Sequence, residues 1–170
     1  MYKRILIPFD GSSTSLLGLK EAIRLAKDQN ARLRILNVVE EYKVMQSAGI
    51  DAGVYTGEII DMIIADGEEL IGKALALARS ENVEVEGASI TSFAARSAEC
   101  IVDDAKSWNA DLIVMGTHGR RGIRRALLGS DAELVLRTAP VPVLLVRAQD
   151  PGAASTRPPA TRNPVSVSAA

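Results

Sequence analysis

The stretch Asp111-Leu-Ile-Val-Met-Gly116-Thr-His-Gly119-Arg-Arg-Gly122-Ile-Arg-Arg-Ala-Leu-Leu-Gly129-Ser130 decides how the chain is read. Leu112 to Met115 is an apolar run too short for a helix and closed by Gly116, as expected of a strand buried on both faces. Gly116, Gly119 and Gly122 then recur at three-residue intervals, and glycine permits positive φ and close approach of the backbone to a ligand. At Gly129-Ser130 a helical pattern begins, with Ser130 expected as the N-cap and Glu133 as its capping-box partner. A glycine loop that runs from a strand end into a helix N-terminus gathers free N–H groups and the positive end of the helix dipole at one place. Arg120, Arg121, Arg124 and Arg125 add positive charge beside it. The stretch is read as a phosphate-binding loop.

The spacing Gly116-x2-Gly119-x9-Gly129-Ser130 is neither the P-loop, which needs Gly-Lys-Ser/Thr, nor the dinucleotide G-x-G-x-x-G. It resembles the ATP-binding signature of the universal stress protein family. The preceding Asp111-Leu112-Ile113-Val114-Met115, the following Pro140-Val141-Pro142-Val143-Leu144-Leu145-Val146 and the opening Ile5-Leu6-Ile7-Pro8-Phe9-Asp10-Gly11-Ser12 also look like that family. The resemblance covers roughly residues 1–148 as one domain. It implies a strand order of 3-2-1-4-5, a homodimer, and an adenine nucleotide, ATP with or without Mg²⁺, as ligand. It also implies that Pro8 and Val38 line an adenine pocket. The nucleotide-binding positions expected from the loop and the resemblance together are Pro8, Asp10, Val38, Met115, Gly116, His118, Gly119, Arg120, Arg121, Gly122, Gly129, Ser130 and Asp131.

Asp10, the glycines and Ser130 each have a purely structural alternative. Asp10 could accept from adenine or ribose, or could bond its own backbone in a turn. The glycines could face phosphate, or could simply allow tight helix–strand packing. Ser130 could donate to a phosphate, or its oxygen could be used up by the N-cap bond; the roles compete for one atom, though a hydroxyl can donate to one partner while accepting from another. The family's nucleotide-binding members usually carry a neutral residue after Gly-Ser, whereas here it is Asp131. An acid in the first helical turn suits the dipole but repels phosphate. At roughly 5 Å and an effective dielectric near 20, one unit-charge pair costs about 3 kcal/mol. Two such pairs would remove most of a micromolar affinity, which is about 8 kcal/mol.

The rest of the chain alternates strand and helix signals. Residues 3–9 form the first strand, and Asp10-Gly11-Ser12-Ser13 is a turn supplying an N-cap. Leu16, Leu19, Ile23 and Ala26 recur at helical spacing up to Asn30. Residues 32–39 make the second strand and 40–56 a loop. A long amphipathic helix follows from Gly57, weakened at Gly67 and Gly72. Val83 to Ile90 is the third strand, at an edge because Glu84 and Glu86 alternate. Ser97 is expected to cap a helix with Ile101, Ala105 and Trp108 inward, Trp108 being read as core and Asp103-Asp104 as a solvated face. The last helix spans Ser130 to Thr138 and the last strand Val143 to Val146. This alternation predicts an α/β fold, an open five-stranded parallel sheet with helices on both faces, binding ligands where the winding reverses. Residues 149–170, rich in Pro, Ala, Ser and Thr, are expected to be a disordered tail.

Composition agrees. A chain of 170 residues with 47% apolar content is long enough for one substantial core. A net charge of -1 supplies no long-range field for nucleic acid or membrane. The single cysteine, Cys100, forbids an intrachain disulfide, and no signal-peptide pattern or membrane-length apolar run occurs, so the protein is read as cytoplasmic. One histidine and one cysteine make a zinc site improbable on ligand count. His118 has no evident nucleophile or base partner and is read as a loop residue near phosphate.

Three functions are open at this stage. The first is an adenine-nucleotide-binding stress-response or signalling module. The second is a nucleotide-free dimeric interaction protein of the same fold. The third is an enzyme, disfavoured because the chain has no His-Ile-Gly-His, Ser-Gly-Gly-x-Asp-Ser or Walker lysine; slow ATP hydrolysis would be a side property. The apolar fifth strand, Val143, Leu144, Leu145 and Val146, is expected at an edge, where it would pair with a second copy.

Overall fold

The computed structural model describes residues 1–42, 57–119 and 128–148. Most of the loop assigned to 40–56, together with Arg120, Arg121, Gly122, Arg124, Arg125 and the 149–170 tail, lies outside the described residues. The elements run β1 (Arg4–Pro8), α1 (Ser13–Gln29), β2 (Arg32–Glu40), α2 (Gly57–Ser80), β3 (Val85–Ser92), α3 (Ser97–Ser107), β4 (Leu112–Gly116), α4 (Ser130–Thr138) and β5 (Val143–Val146). Every strand pair is parallel, and the order is β3-β2-β1-β4-β5. The chain therefore winds outward from β1 to β3 and returns to the other side of β1. Strands β1 and β4 meet at the reversal, as expected, with Ile5 opposite Leu112 and Leu6 opposite Ile113.

Alternation along the central strands splits the core into two layers. Ile5, Ile7, Leu33, Ile35, Leu112 and Val114 pack against Leu19, Ala22, Ile23 and Ala26 of α1 and Ile71, Ala74 and Ala78 of α2. Leu6, Leu36, Ile113 and Met115 pack on the opposite face against Ala98, Ile101 and Ala105 of α3, Trp108 beyond it, and Ala132 and Val135 of α4. Strands buried on both faces need near-continuous apolar runs, which is why these four-to-five-residue segments are legible in the sequence.

The helix ends are specified locally. Ser12 caps α1, its Oγ accepting from Ser15 N at 3.1 Å. Asn30 closes the same helix at φ 51°, and Asn82 (φ 58°) and Asn109 (φ 55°) occupy the corresponding turns after α2 and α3. Asparagine tolerates the left-handed conformation better than most residues, so three helix-to-strand turns at the base of the sheet share one solution.

Several expectations shift. Ser97 does not cap α3. Arg96 takes the extended cap conformation, and Ser97, now the first helical residue, gives its backbone N–H (2.9 Å) and its hydroxyl to the Glu40 carboxylate. Ser130 likewise is the first residue of α4, and Gly129 is the cap, its carbonyl accepting from Glu133 N at 2.8 Å. Strand β3 begins at Val85 instead of Val83, because Val83 N is held by Ala78 O at the end of α2. Leu16, on the apolar repeat read for the first helix, is 38% exposed. Trp108 is core, as expected.

Asp104 is the largest correction. Asp103 is exposed, but Asp104 is buried and forms a bidentate pair with Arg34, Nε to Oδ2 at 2.8 Å and Nη2 to Oδ1 at 2.9 Å. This hydrogen bonding, outweighing the desolvation of the guanidinium, pushes the Arg34 pKa above its usual value. Arg4 stacks on Trp108 with its guanidinium carbon 4.3 Å from the ring centroid. The α3 face is thus polar at the base of the sheet and apolar toward its C-terminal end. Asp104→Ala should remove both Asp104 bonds from Arg34, leaving it the Glu86 carboxylate (Nη1 to Oε1, 3.3 Å), and lower stability by about 1 to 3 kcal/mol, whereas Asp103→Ala should change it by less than about 0.5 kcal/mol. Urea unfolding followed by Trp108 emission measures both.

Candidate binding site

The crevice lies where β1 and β4 end. Following the alternation from Leu6, Leu36 and Ile113, the side chains of Pro8, Val38 and Met115 fall on the α3/α4 face, Met115 and Val38 within its apolar cluster. Pro8 and Val38 are half-buried, and Met115 is buried. They form an apolar step at the rim, with Asp10 two residues beyond Pro8.

Asp10 combines both roles considered for it. Its Oδ1 accepts from Ser12 N at 3.0 Å, a local turn bond. Its Oδ2 faces Gly119, where an added Cβ would sit 2.8 Å from that oxygen. The end of β1 and the glycine loop after β4 are therefore in contact, and the carboxylate is held at the seam.

Gly116 sets how closely α1 approaches. A Cβ there would lie 2.8 Å from Thr14 C and 3.0 Å from Ser15 N, so the first turn of α1 rests directly on the end of β4. Thr14 uses this proximity to donate its hydroxyl to the His118 carbonyl, and its oxygen is 3.2 Å from Ser12 Oγ. On the other side, Gly129 N donates to Thr117 O at 2.9 Å, and Thr117 N donates to Val146 O at 3.0 Å. The loop thus leaves and re-enters at one point, and the N-termini of α1 and α4 both flank residues 117–119. Two helix dipoles place positive potential there. No acid lies in the first turn of α1, whereas Asp131 and Glu133 lie in that of α4, Asp131 half-buried.

The arrangement can hold an anion on backbone amides beside an apolar step and a carboxylate acceptor. Pro8, Asp10, Met115, Gly116, His118, Gly119, Gly129 and Ser130 all belong to the elements that meet here, and Val38 joins them from β2. Ser130 is exposed and its hydroxyl is not spent on the cap. Arg120, Arg121 and Gly122 lie outside the described residues. The His118 ring contacts the neighbouring Thr117 hydroxyl, Nδ1 to Oγ1 at 3.0 Å. Among the described residues no cluster of His, Cys, Asp or Glu could hold a metal ion, and no helix is long and apolar enough to cross a membrane. On α3, burial pushes the Cys100 thiol up, against a hydrogen bond with Ser92, and Asp103 and Glu99 raise it further. That suits a quiet structural cysteine.

Sequence reasoning missed Thr14 and Asn37. Thr14 is one hydroxyl in a Ser-Ser-Thr-Ser run whose members look equivalent until the packing is known. Asn37 had a signal, a lone polar residue inside the apolar run Ile35 to Val39.

The fold is a doubly wound α/β sheet with a glycine loop at its reversal, where ligands of such sheets bind. Comparison with known proteins is more specific. The model of the universal stress protein family matches residues 1–147. Universal stress protein MJ0531 of Methanocaldococcus jannaschii is 37% identical over 147 residues, 86% of this chain and 83% of that one. Universal stress protein YxiE of Bacillus subtilis is 32% identical over 153 residues, 86% of this chain and 100% of that one. The chain belongs to the universal stress protein family. Solved structures with the same fold include the universal stress protein from Archaeoglobus fulgidus in complex with dAMP (TM-score 0.62, 22% identity, 85% of this chain and 98% of that one). Another is a universal stress protein family protein from Arabidopsis thaliana with AMP bound (TM-score 0.63, 15% identity, 91% and 97%).

Because the Gly116 Cβ would meet backbone and not a movable side-chain tip, Gly116→Ala should destabilise by about 1 to 3 kcal/mol through overpacking. The expected loss of roughly 2 to 12 °C in thermal midpoint is read by circular dichroism.

Proposed function

We propose that this chain is a cytoplasmic, dimeric stress-response or signalling module that binds an adenine nucleotide, ATP or AMP, without fast catalysis. The observation that carries the reading is the Asp10 carboxylate against Gly119, beside two helix N-termini. Base and ribose rest on Pro8, Val38 and Asp10. The phosphates lie along Met115, Gly116, His118 and Gly119, reach Gly129 and Ser130, and meet Arg120, Arg121 and Gly122. Mg²⁺, where present, is carried by the phosphates. The adenine nucleotides held by the Archaeoglobus and Arabidopsis proteins of this fold support the ligand class.

Asp131 favours a second reading, a nucleotide-free dimer of the same fold, because its charge opposes phosphate at the α4 N-terminus. Calorimetric titration of Mg-ATP separates the two. Micromolar binding by the wild type supports the first reading. Binding only in Asp131→Val supports the second. In either case Asp131→Val should bind at least about ten-fold more tightly, less than the roughly 3 kcal/mol of an unscreened pair because solvent and salt screen it.

The dimer forms through β5. That strand is an edge of the sheet, with Leu144 36% exposed and Leu136 on the adjoining α4 50% exposed. The wild type should sediment as a dimer of the 18.1 kDa chain at micromolar concentration, and Leu144→Lys as a monomer. A monomeric wild type would overturn this interface.

A further inference from the structure

Asn37 is an anomaly in the sheet. It is 3% exposed, and it interrupts the apolar run of β2 on the face covered by α2. A buried amide costs free energy unless its hydrogen bonds are made. The β1–β2 ladder ends at the pair Pro8 and Leu36. One residue further, Phe9 N still donates to Leu36 O at 2.8 Å, while Phe9 O accepts from Asn37 Nδ2 at 2.9 Å. A side chain has thus taken over where the strand pairing stops. The Phe9 ring is itself in the core, 7% exposed, so ring, N–H and carbonyl are all held.

The other end of the amide is also fixed. Ser89 Oγ of β3 donates to Asn37 Oδ1 at 3.4 Å. Above them α2 presents Gly67, where a Cβ would fall 2.7 Å from Ser89 Oγ and 3.1 Å from Asn37 Oδ1. The missing side chain at Gly67 leaves room for this polar pair beneath the helix. The glycine read from the sequence as a weak point in α2 therefore has a packing role.

The residue after Phe9 is Asp10, and the residue after Asn37 is Val38. We infer that Asn37 is a positioning residue for the ligand site: its amide, bridging Ser89 and the Phe9 carbonyl, fixes the direction in which β1 leaves the sheet and so aims the Asp10 carboxylate at the Gly119 seam. This deepens the adenine-nucleotide reading and rests on it. Without the amide, Phe9 O is a buried carbonyl lacking its partner, and the Asp10–Ser12 turn keeps one of its two bonds to β2, that from Phe9 N to Leu36 O.

The test uses Asn37→Leu, branched like asparagine but bulkier and without the donor, and Asn37→Ser, smaller and polar in case the first fails to fold. Two measurements are made at a temperature where circular dichroism shows the variant fully folded. The first is the Kd for Mg-ATP by calorimetry. Asn37 substitution should weaken it about ten-fold. A residue with only a structural role would lower the unfolding midpoint and leave the Kd of the folded protein unchanged. The second needs no ligand: the Ser12 amide, which donates to Asp10 Oδ1, should exchange with deuterium at least five-fold faster in the variant. A Kd within two-fold of wild type, or unchanged Ser12 exchange, overturns the inference. If the wild type binds no ATP, the nucleotide reading fails and the proposed role in binding fails with it. Faster Ser12 exchange would then still support the anchoring of the turn by Asn37.

Discussion

The absence of a side chain at Gly116 is the constraint on which the site depends. It lets the backbone of Thr14 and Ser15 lie where a Cβ would otherwise be, and that closeness is what makes the Thr14 hydroxyl's bond to the His118 carbonyl geometrically available. It also brings the start of a 17-residue helix against the end of a central strand. The crevice is therefore a product of packing density as much as of loop chemistry. One methyl group in the wrong place would push α1 outward and separate the two helix N-termini.

Around that contact the molecule divides its polar interactions by level. At the base of the sheet, Arg34, Asp104, Arg4 and Trp108 form a fixed cluster on the α3 face. At the C-terminal ends, Glu40 takes the first amide and hydroxyl of α3. The N-terminus of α3, a possible rival anion site, is thus already satisfied by a carboxylate from the neighbouring strand. The amides flanking residues 117–119 are of another kind. At α1 the Ser12 hydroxyl takes Ser15 N and the Asp10 carboxylate takes Ser12 N, whereas α4 is capped by Gly129, which has no side chain to spend on its amides.

Much of this was legible in the sequence because buried parallel strands and helix caps depend on local pattern. Ile5 to Ile7, Leu33 to Leu36 and Leu112 to Met115 announce themselves, and Ser12 is where a cap was expected. The order of the strands came only through family resemblance, since periodicity says nothing about which strand lies beside which. The misplaced caps at Ser97 and Ser130 show why one-residue accuracy fails. In each case a tertiary partner, Glu40 or Thr117, decides which residue stands just outside the helix. Asp104 was misread for the same reason: its neighbour Asp103 is solvated, and only the distant Arg34 makes burial of the second acid tolerable. The contact of Asp10 with Gly119 lay between these cases, implied by topology but fixed by the geometry of two strand ends.

The hydrogen bond from Gly129 to Thr117 has a further consequence. It staples shut the neck of the segment between them, so the scaffold sees only a closed mouth, whatever the length of chain strung beyond it. Closing a flexible loop grows costlier only logarithmically, by about 0.6 kcal/mol for each doubling of length. Insertions or deletions between Thr117 and Gly129 therefore cost little, while the five strands beneath keep their register.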